Sequence, residues 1–297
     1  MEELFRLISD EYAAVIKSRL FLERLNEVRI INGAPVRVSY DGAYYFLTKS
    51  GLSKDGQAAF IAPLDEADRI VMRACSHSLY TVTDTLKRGF ISVKGGLRLG
   101  VCGEGVMNDN ALTAVKNFSS VNIRLPHEVK GFASNLFPKL VGIGIKNAIV
   151  ISPPGAGKTT LLRDLCRLIS NRGFCVLLCD EKYEIAACSN GAPTLDVGVC
   201  TDVISGVDKP KVFEMGIANM RPDVIITDEL FPSDMESVAR ATTCGIAVIA
   251  SVHAENIEQL RLKRDWRSVI EQGLFDSYVM LSAPPRRTVT VYEGVSL

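Results

Sequence analysis

The residues whose types and spacing could do chemistry are densest in one short stretch, Ser152-Pro153-Pro154-Gly155-Ala156-Gly157-Lys158-Thr159-Thr160. Gly155 and Gly157 let the backbone wrap closely and turn successive N–H groups inward, which makes a nest for an anion. Lys158 supplies a mobile positive charge for outer phosphates. The Thr159 hydroxyl suits a Mg²⁺ ion, and Thr160 can reach the α-phosphate. The apolar run Ala148 to Ile151 reads as a short buried strand, and Leu161 to Ile169 as an amphipathic helix. The N-terminus of that helix adds partial positive charge to the nest. Strand, glycine-bearing turn, Lys-Thr and helix form the layout of a phosphate-binding P-loop, so ATP with Mg²⁺ is the expected ligand. One position departs from the pattern. G-x-x-x-x-G-K-[ST] opens on glycine, and Ser152 stands there instead.

Three further clusters bear chemistry. Asp223 to Thr227 reads as a strand that ends in Asp228 and Glu229, at the carboxyl edge where ligands bind in parallel sheets. Asp228 can hold Mg²⁺ through its water shell, and Glu229 can orient a water toward the γ-phosphate. Asp180-Glu181-Lys182-Tyr183-Glu184 follows another apolar run and falls on the same edge. Three acids there call for a compensating cation. His253 ends the last core strand, where it can sense a γ-phosphate. Arg98 and Arg124 lie on strands nearer the N-terminus, and a guanidinium stabilises charge on a transferring phosphoryl group. Spacing alone reads them as exposed arginines of an edge hairpin. Arg221, Arg240, Arg261 and Arg264 are weaker candidates for that role.

The 297 residues suggest two domains to hold these groups. A hydrophobic share of 47% is ample for two cores. Lys+Arg and Asp+Glu are equal at 34 each, so net charge makes no case for nucleic acid or a membrane surface. The eight cysteines form no C-x-x-C pair and read as small core residues without disulfides in a reducing compartment. The first twenty residues are mixed and charged, unlike a signal peptide, and no run is long enough to span a bilayer. A cytoplasmic location follows, at most peripheral to a membrane through a partner.

Residues 2–25 carry apolar side chains near helical spacing and predict an amphipathic helix. Val28 to Leu47 reads as three strands with turns at Asn32-Gly33 and Asp41-Gly42. A helix follows from Asp65 toward Tyr80, then a second from Thr81 to Arg88, then a hairpin from Phe90 to Cys102. These make a small α+β domain over residues 1–130, followed by a linker at 131–145. From 146 to 297 apolar strands (148–151, 174–179, 223–227 and 246–252) alternate with helices (158–170, 209–219 and 233–244), which predicts an α/β core with a parallel sheet and flanking helices. Ser233 and Glu236 form a capping-box pattern, and Gly245 stops that helix.

The ordered set P-loop, DEKYEIAA, MRPDVIITDE and SVHAEN is similar to the secretion ATPases of type II and type IV systems and of pilus motors. Within that superfamily the chain resembles the stage III sporulation protein AA family. The resemblance includes Asp180-Glu181-x-x-Glu184-Ile185-Ala186, Phe118 to Arg124, the hairpin Gly96-Leu97-Arg98-Leu99-Gly100 and the C-terminal Phe275 to Ser282. It implies a RecA-like P-loop core behind the smaller N-terminal domain, and hexameric rings. It implies Glu229 with Glu181 or Glu184 as the catalytic carboxylate, His253 in the histidine-box place, and Arg98 and Arg124 as phosphate-contacting arginines. It implies an ATP-hydrolysing motor that powers a sporulation channel complex, with membrane-protein partners, between mother cell and forespore. Leu230-Phe231-Pro232 departs from the family's Ile-Gly-Arg at that point. Two other readings stay open: a nucleic-acid-binding P-loop ATPase, for which Arg261-Leu262-Lys263-Arg264 and Arg286-Arg287 are small basic spots, and a nucleotide-gated scaffold with little turnover.

Overall fold

A computed structural model describes residues 2–75, 86, 89–108, 111–126, 128–188, 191–283 and 288–294. The Arg286-Arg287 spot lies outside the described residues, and so does the helix expected over 81–88 apart from Leu86. The chain divides into two compact units, Met1–His127 with Cys188–Thr194, and Glu128–Ala187 with Leu195–Leu297.

In the first unit, α1 (Glu2–Leu7) and α2 (Asp10–Arg19) replace the single helix expected over 2–25. Ser9 between them adopts extended backbone and starts α2, whose first turn carries Asp10 and Glu11. Acids there favour a fresh helix start. The strands are β1 (Leu25–Ile31), β2 (Arg37–Tyr40), β3 (Ala43–Thr48) and β4 (Gly51–Ser53), then α3 (Glu66–Ala74), then β5 (Phe90–Val93), β6 (Leu97–Asn108) and β7 (Ala111–Arg124). They form one antiparallel sheet in the order β4-β3-β2-β1-β7-β6-β5. Alternation sends Val28, Ile30, Val38, Leu99, Val121 and Ile123 into a core with Leu4, Ile16, Ile70 and Val71 of the helices. Polar residues take the other face: Arg98 pairs with Arg124, and Arg124 in turn with Glu27.

The second unit begins at Glu128, so residues 131–145 belong to it. Ala133, Leu136 and Leu140 are buried, and the Ala133 N–H donates to Asp164 at 2.8 Å. A short helix, α4 (Phe137–Leu140), leads to β8 (Ala148–Ser152) and α5 (Lys158–Asn171). Next come β9 (Val176–Asp180), β10 (Thr201–Ser205), α6 (Lys209–Met215), β11 (Val224–Glu229), α7 (Met235–Thr243), β12 (Ala247–His253), α8 (Ile257–Leu262), α9 (Arg264–Glu271), β13 (Ser277–Leu281) and β14 (Val289–Glu293). The sheet order is β10-β9-β11-β12-β8-β13-β14, parallel except for the β13–β14 pair. β8, β9 and β12 are buried or nearly so along their length, as strands covered on both faces must be. Each buried Ile, Leu or Val there contributes roughly 2 kcal/mol.

Three expectations change in detail. The Ser233–Glu236 capping box does not form at the start of α7. Asp234 closes the turn before it, accepting the Phe231 N–H at 2.8 Å, and the helix starts at Met235. Helix 209–219 ends as α-helix at Met215 and continues as one π-turn to Met220, after which Arg221 takes left-handed backbone. Of the eight cysteines, all free thiols, Cys102, Cys175, Cys200 and Cys244 are exposed, so only the other four are core residues. Among the described residues, no helix is long and apolar enough to cross a membrane.

Candidate functional site

The strand order explains how distant residues meet. β8 ends at the P-loop, β11 ends at Asp228 and Glu229, and β12 lies between them. Parallel register makes Ser152 and His253 partners across β8 and β12, and Glu229 and Ser251 partners across β11 and β12. The three carboxyl ends therefore open on one place. There a cavity of about 410 Å³ is lined by Pro154, Gly155, Gly157, Lys158, Thr159, Thr160, Lys182, Glu184, Asp228, Glu229, Ser251 and His253.

The P-loop has the backbone its glycines were expected to permit. Gly155 has φ 75° and Gly157 φ 104°, both left-handed, and Gly157 is the N-cap residue of α5. Ala156 and Ser152 are buried and anchor the loop, while Gly155, Gly157 and Lys158 line the cavity. The Lys158 ammonium donates to the Ser152 carbonyl at 3.3 Å, the Ser152 hydroxyl at 3.2 Å, the Pro153 carbonyl at 3.3 Å and His253 Nδ1 at 2.8 Å. Burial pushes this ammonium down to about 8, against the opposing charge of Glu229.

His253 accepts through Nδ1, which places its ring proton on Nε2. Nε2 lies 3.8 Å from Glu229 Oε1. Burial and the nearby Lys158 charge hold His253 below its ordinary value, so the ring is neutral at pH 7. The other Glu229 oxygen accepts from Lys182 Nζ at 3.0 Å. Burial pushes the Glu229 carboxyl up, but Lys182, His253 and Lys158 together outweigh it and leave the group below the usual carboxylate value.

Asp228 behaves differently. Burial raises it to about 6, although Lys209 opposes the shift. Its Oδ1 is buried and has no hydrogen-bond partner, with Lys209 Nζ 3.8 Å away. Among the described residues, no cluster of three His, Cys, Asp or Glu could hold a metal by itself. A hydroxyl at Thr159 and one carboxylate at Asp228 on the same cavity suit Mg²⁺, which keeps waters and binds substrate phosphates. The unpartnered Asp228 oxygen fits that use.

The acids of residues 180–184 divide. Asp180 is fully buried and accepts the N–H groups of Glu184, Ile185, Ala186 and Ala187 at 2.7, 3.0, 2.9 and 3.3 Å. It builds the loop rather than facing the cavity. Glu181 is not among the cavity-lining residues; Lys209 binds its carboxylate at 2.5 Å. Glu184 does line the cavity. Its carbonyl and that of Ile185 both accept from Arg163 of α5 at 2.6 Å.

Sequence reasoning did not single out Lys182 as a partner of Glu229, nor Arg163 or Lys209. For Lys209 the need for a cation beside three acids was the only signal. Arg98 and Arg124 are register partners in the first unit, with the Arg98 guanidinium 4.2 Å from the Phe90 ring centroid. Arg221, Arg240, Arg261 and Arg264 do not line the cavity. Arg221 precedes β11 and borders a larger cavity, about 760 Å³, at the opposite ends of the strands. In the Arg261–Arg264 spot, Lys263 is turned onto the His253 carbonyl at 3.2 Å.

The family model described as Sporulation stage III, protein AA matches residues 1–294. The chain is 32% identical over 264 residues to Stage III sporulation protein AA of Bacillus subtilis (strain 168), which covers 87% of this chain and 82% of that protein. Among solved structures, the pilus retraction motor PilT with bound ADP superposes with a TM-score of 0.62 at 15% identity, over 94% of this chain and 80% of that one. The ATPase DotB of Yersinia pseudotuberculosis gives 0.57 at 14% identity, over 91% and 74%. DotB of Legionella pneumophila gives 0.53 at 12%, over 91% and 76%. At these identities the likeness is one of fold: an N-terminal domain and a RecA-like P-loop core.

Proposed function

The chain belongs to the sporulation stage III protein AA family, and from that premise we propose that it is an ATP-binding and ATP-hydrolysing motor of the secretion type. The observation that carries the reading is the convergence of Lys158 and Thr159 with Asp228, Glu229, Glu184 and His253 on one cavity. In this reading the backbone N–H groups from Gly155 to Thr160, with Lys158, bind the phosphates. Thr159 and Asp228 would hold Mg²⁺, which supplies charge neutralisation at the outer phosphate oxygens. Glu229 is the carboxylate that orients water, because its deprotonated form is favoured and it borders the P-loop. Glu181 is already engaged by Lys209 and Glu184 is the reserve candidate. His253 links Lys158 to Glu229 and reports whether a γ-phosphate has taken the lysine. Arg98 and Arg124 contact phosphate in a ring of subunits, taken to be hexameric.

The role that goes with this chemistry is to power a sporulation channel complex between mother cell and forespore. The chain would act on the mother-cell side, peripheral to the membrane through membrane-protein partners. Steady-state ATPase measurement of Lys158→Ala beside wild type tests the enzyme reading, and equal activity in both would overturn it. Mass in solution with and without a nonhydrolysable ATP analogue tests the ring. A second reading, a nucleotide-gated scaffold, is favoured by one observation. Both Lys158 and Glu229 are engaged by protein groups, the lysine by four acceptors and the carboxylate by Lys182. A single-turnover measurement separates the two, since the scaffold binds ATP and leaves it intact.

A further inference from the structure

Lys158 has three N–H groups and four acceptors within 3.3 Å. Any phosphate oxygen that recruits this ammonium replaces one of them. Two of the four are backbone carbonyls, which every residue type at these positions would offer. The other two are side-chain atoms, the Ser152 hydroxyl and His253 Nδ1. They are placed by the same register, since Ser152 and His253 are partners across β8 and β12. The Ser152 hydroxyl is also oriented. It donates its own proton to the Pro153 carbonyl at 3.1 Å, which leaves its lone pairs to the ammonium. Ser152 is wholly buried, so no water competes for that contact. A glycine, the residue with which the P-loop pattern opens, has no such acceptor.

We propose that Ser152 is a positioning residue that latches Lys158: its hydroxyl competes with phosphate for the ammonium and so lowers the affinity of this chain for ATP. The inference rests on the nucleotide-binding reading above and assigns a purpose to the one departure in the motif. Ser152 does not touch the reacting atoms in this account; it acts through Lys158. The latch makes ATP a less tightly held ligand than the same loop with glycine would give, and it raises the share of subunits that release nucleotide between turnovers.

The test compares wild type with Ser152→Ala, which removes the oxygen and keeps the rest of the side chain in its buried place. Two quantities are read. One is the dissociation constant for ATP with Mg²⁺, from titration of a fluorescent ATP analogue and competition with ATP. The other is the rate at which Lys158 is acetylated at trace reagent in protein without added nucleotide, read by mass spectrometry. A hydrogen bond to a charged group is worth enough that losing one competitor of four should tighten ATP binding roughly three- to tenfold. Lys158 should label faster in the same variant, because one of its restraints is gone. If Ser152→Ala binds ATP as wild type does, or more weakly, the latch is wrong. Tighter binding with unchanged Lys158 labelling also overturns it, because the effect would then not run through the lysine. If wild type itself binds no ATP, the functional reading fails first and the latch falls with it. A thermal melt of both proteins verifies that the variant is folded, and Ser152→Gly repeats the measurement should the alanine disturb β8.

Discussion

Lys182 Nζ lies 3.0 Å from Glu229 Oε2, and this ion pair holds the carboxylate that the P-loop faces. Without Lys182 the burial that raises Glu229 loses its main opponent, so the Glu229 pKa rises. If Glu229 works as the deprotonated base, activity is lost as pH falls through its pKa. Lys182→Ala should therefore move the acid limb of the ATPase profile to higher pH, with the largest loss of rate at the acid end and little change at pH 8. A profile from pH 5 to 9 measures this. An acid limb that stays in place would exclude Glu229 as the titrating base.

Asp228 should make the protein less stable where it makes it functional. Its pKa is raised to about 6 from an ordinary 3.8, so the folded protein favours the neutral carboxyl. Such a group weakens folding above pH 6, and the penalty fades as pH falls from 6 toward 4. A shift of roughly two units at about 1.4 kcal/mol each bounds the penalty near 3 kcal/mol. Asp228→Asn should accordingly raise the melting temperature by several degrees at pH 8 and by almost nothing at pH 4. The extra stabilisation that wild type gains from Mg²⁺ with ATP should disappear in the variant. A melt series against pH, with and without Mg·ATP, checks both parts.

Asp180 is a structural keystone of the loop beside the cavity. Its two oxygens accept four consecutive N–H groups, from Glu184 to Ala187. Asp180→Ala strands those amides, three of them buried, at a cost of about 3 kcal/mol or more. The loop should open, and trypsin should cut after Lys182 much faster than in wild type. Asp180→Asn should fall between, since an amide oxygen accepts but its NH₂ end repels the donors. Unchanged tryptic cleavage in the alanine variant would contradict this.

The legible parts were the local ones. The P-loop, its strand and its helix depend on neighbours in sequence, and β8 and α5 begin and end within a few residues of expectation. The Asn32-Gly33 turn is there too, with Gly33 at φ 72°. What sequence hid was long-range pairing. β13 needs β8, some 130 residues away, to become a strand, and β14 needs β13. Neither was expected, nor was β10. The same holds at the site. Asp180 was correctly placed at the ligand edge by its strand, but its carboxylate turns inward because the loop curls back, with Tyr183 at φ 57° and Ala187 at φ 48°. Nothing in the spacing shows such a curl. Lys209 sits 28 residues from Glu181, and only folding reveals it as the cation those acids need.

Arg98 and Arg124 provide a last prediction, although Glu27 opposite Arg124 and the Phe90 ring against Arg98 offset part of their repulsion. They stand directly opposite each other across β6 and β7, and like charges in that position destabilise a sheet. Replacing either with alanine should leave the melting temperature within a few degrees of wild type, or raise it. If the pair serves phosphoryl transfer, turnover should fall by about a thousandfold while ATP affinity changes much less. Arg98→Lys and Arg124→Lys should restore little, since an ammonium keeps the charge but not the planar fork. Turnover within threefold of wild type in both alanine variants would remove the arginines from the mechanism and leave their opposition on the sheet without a functional reason.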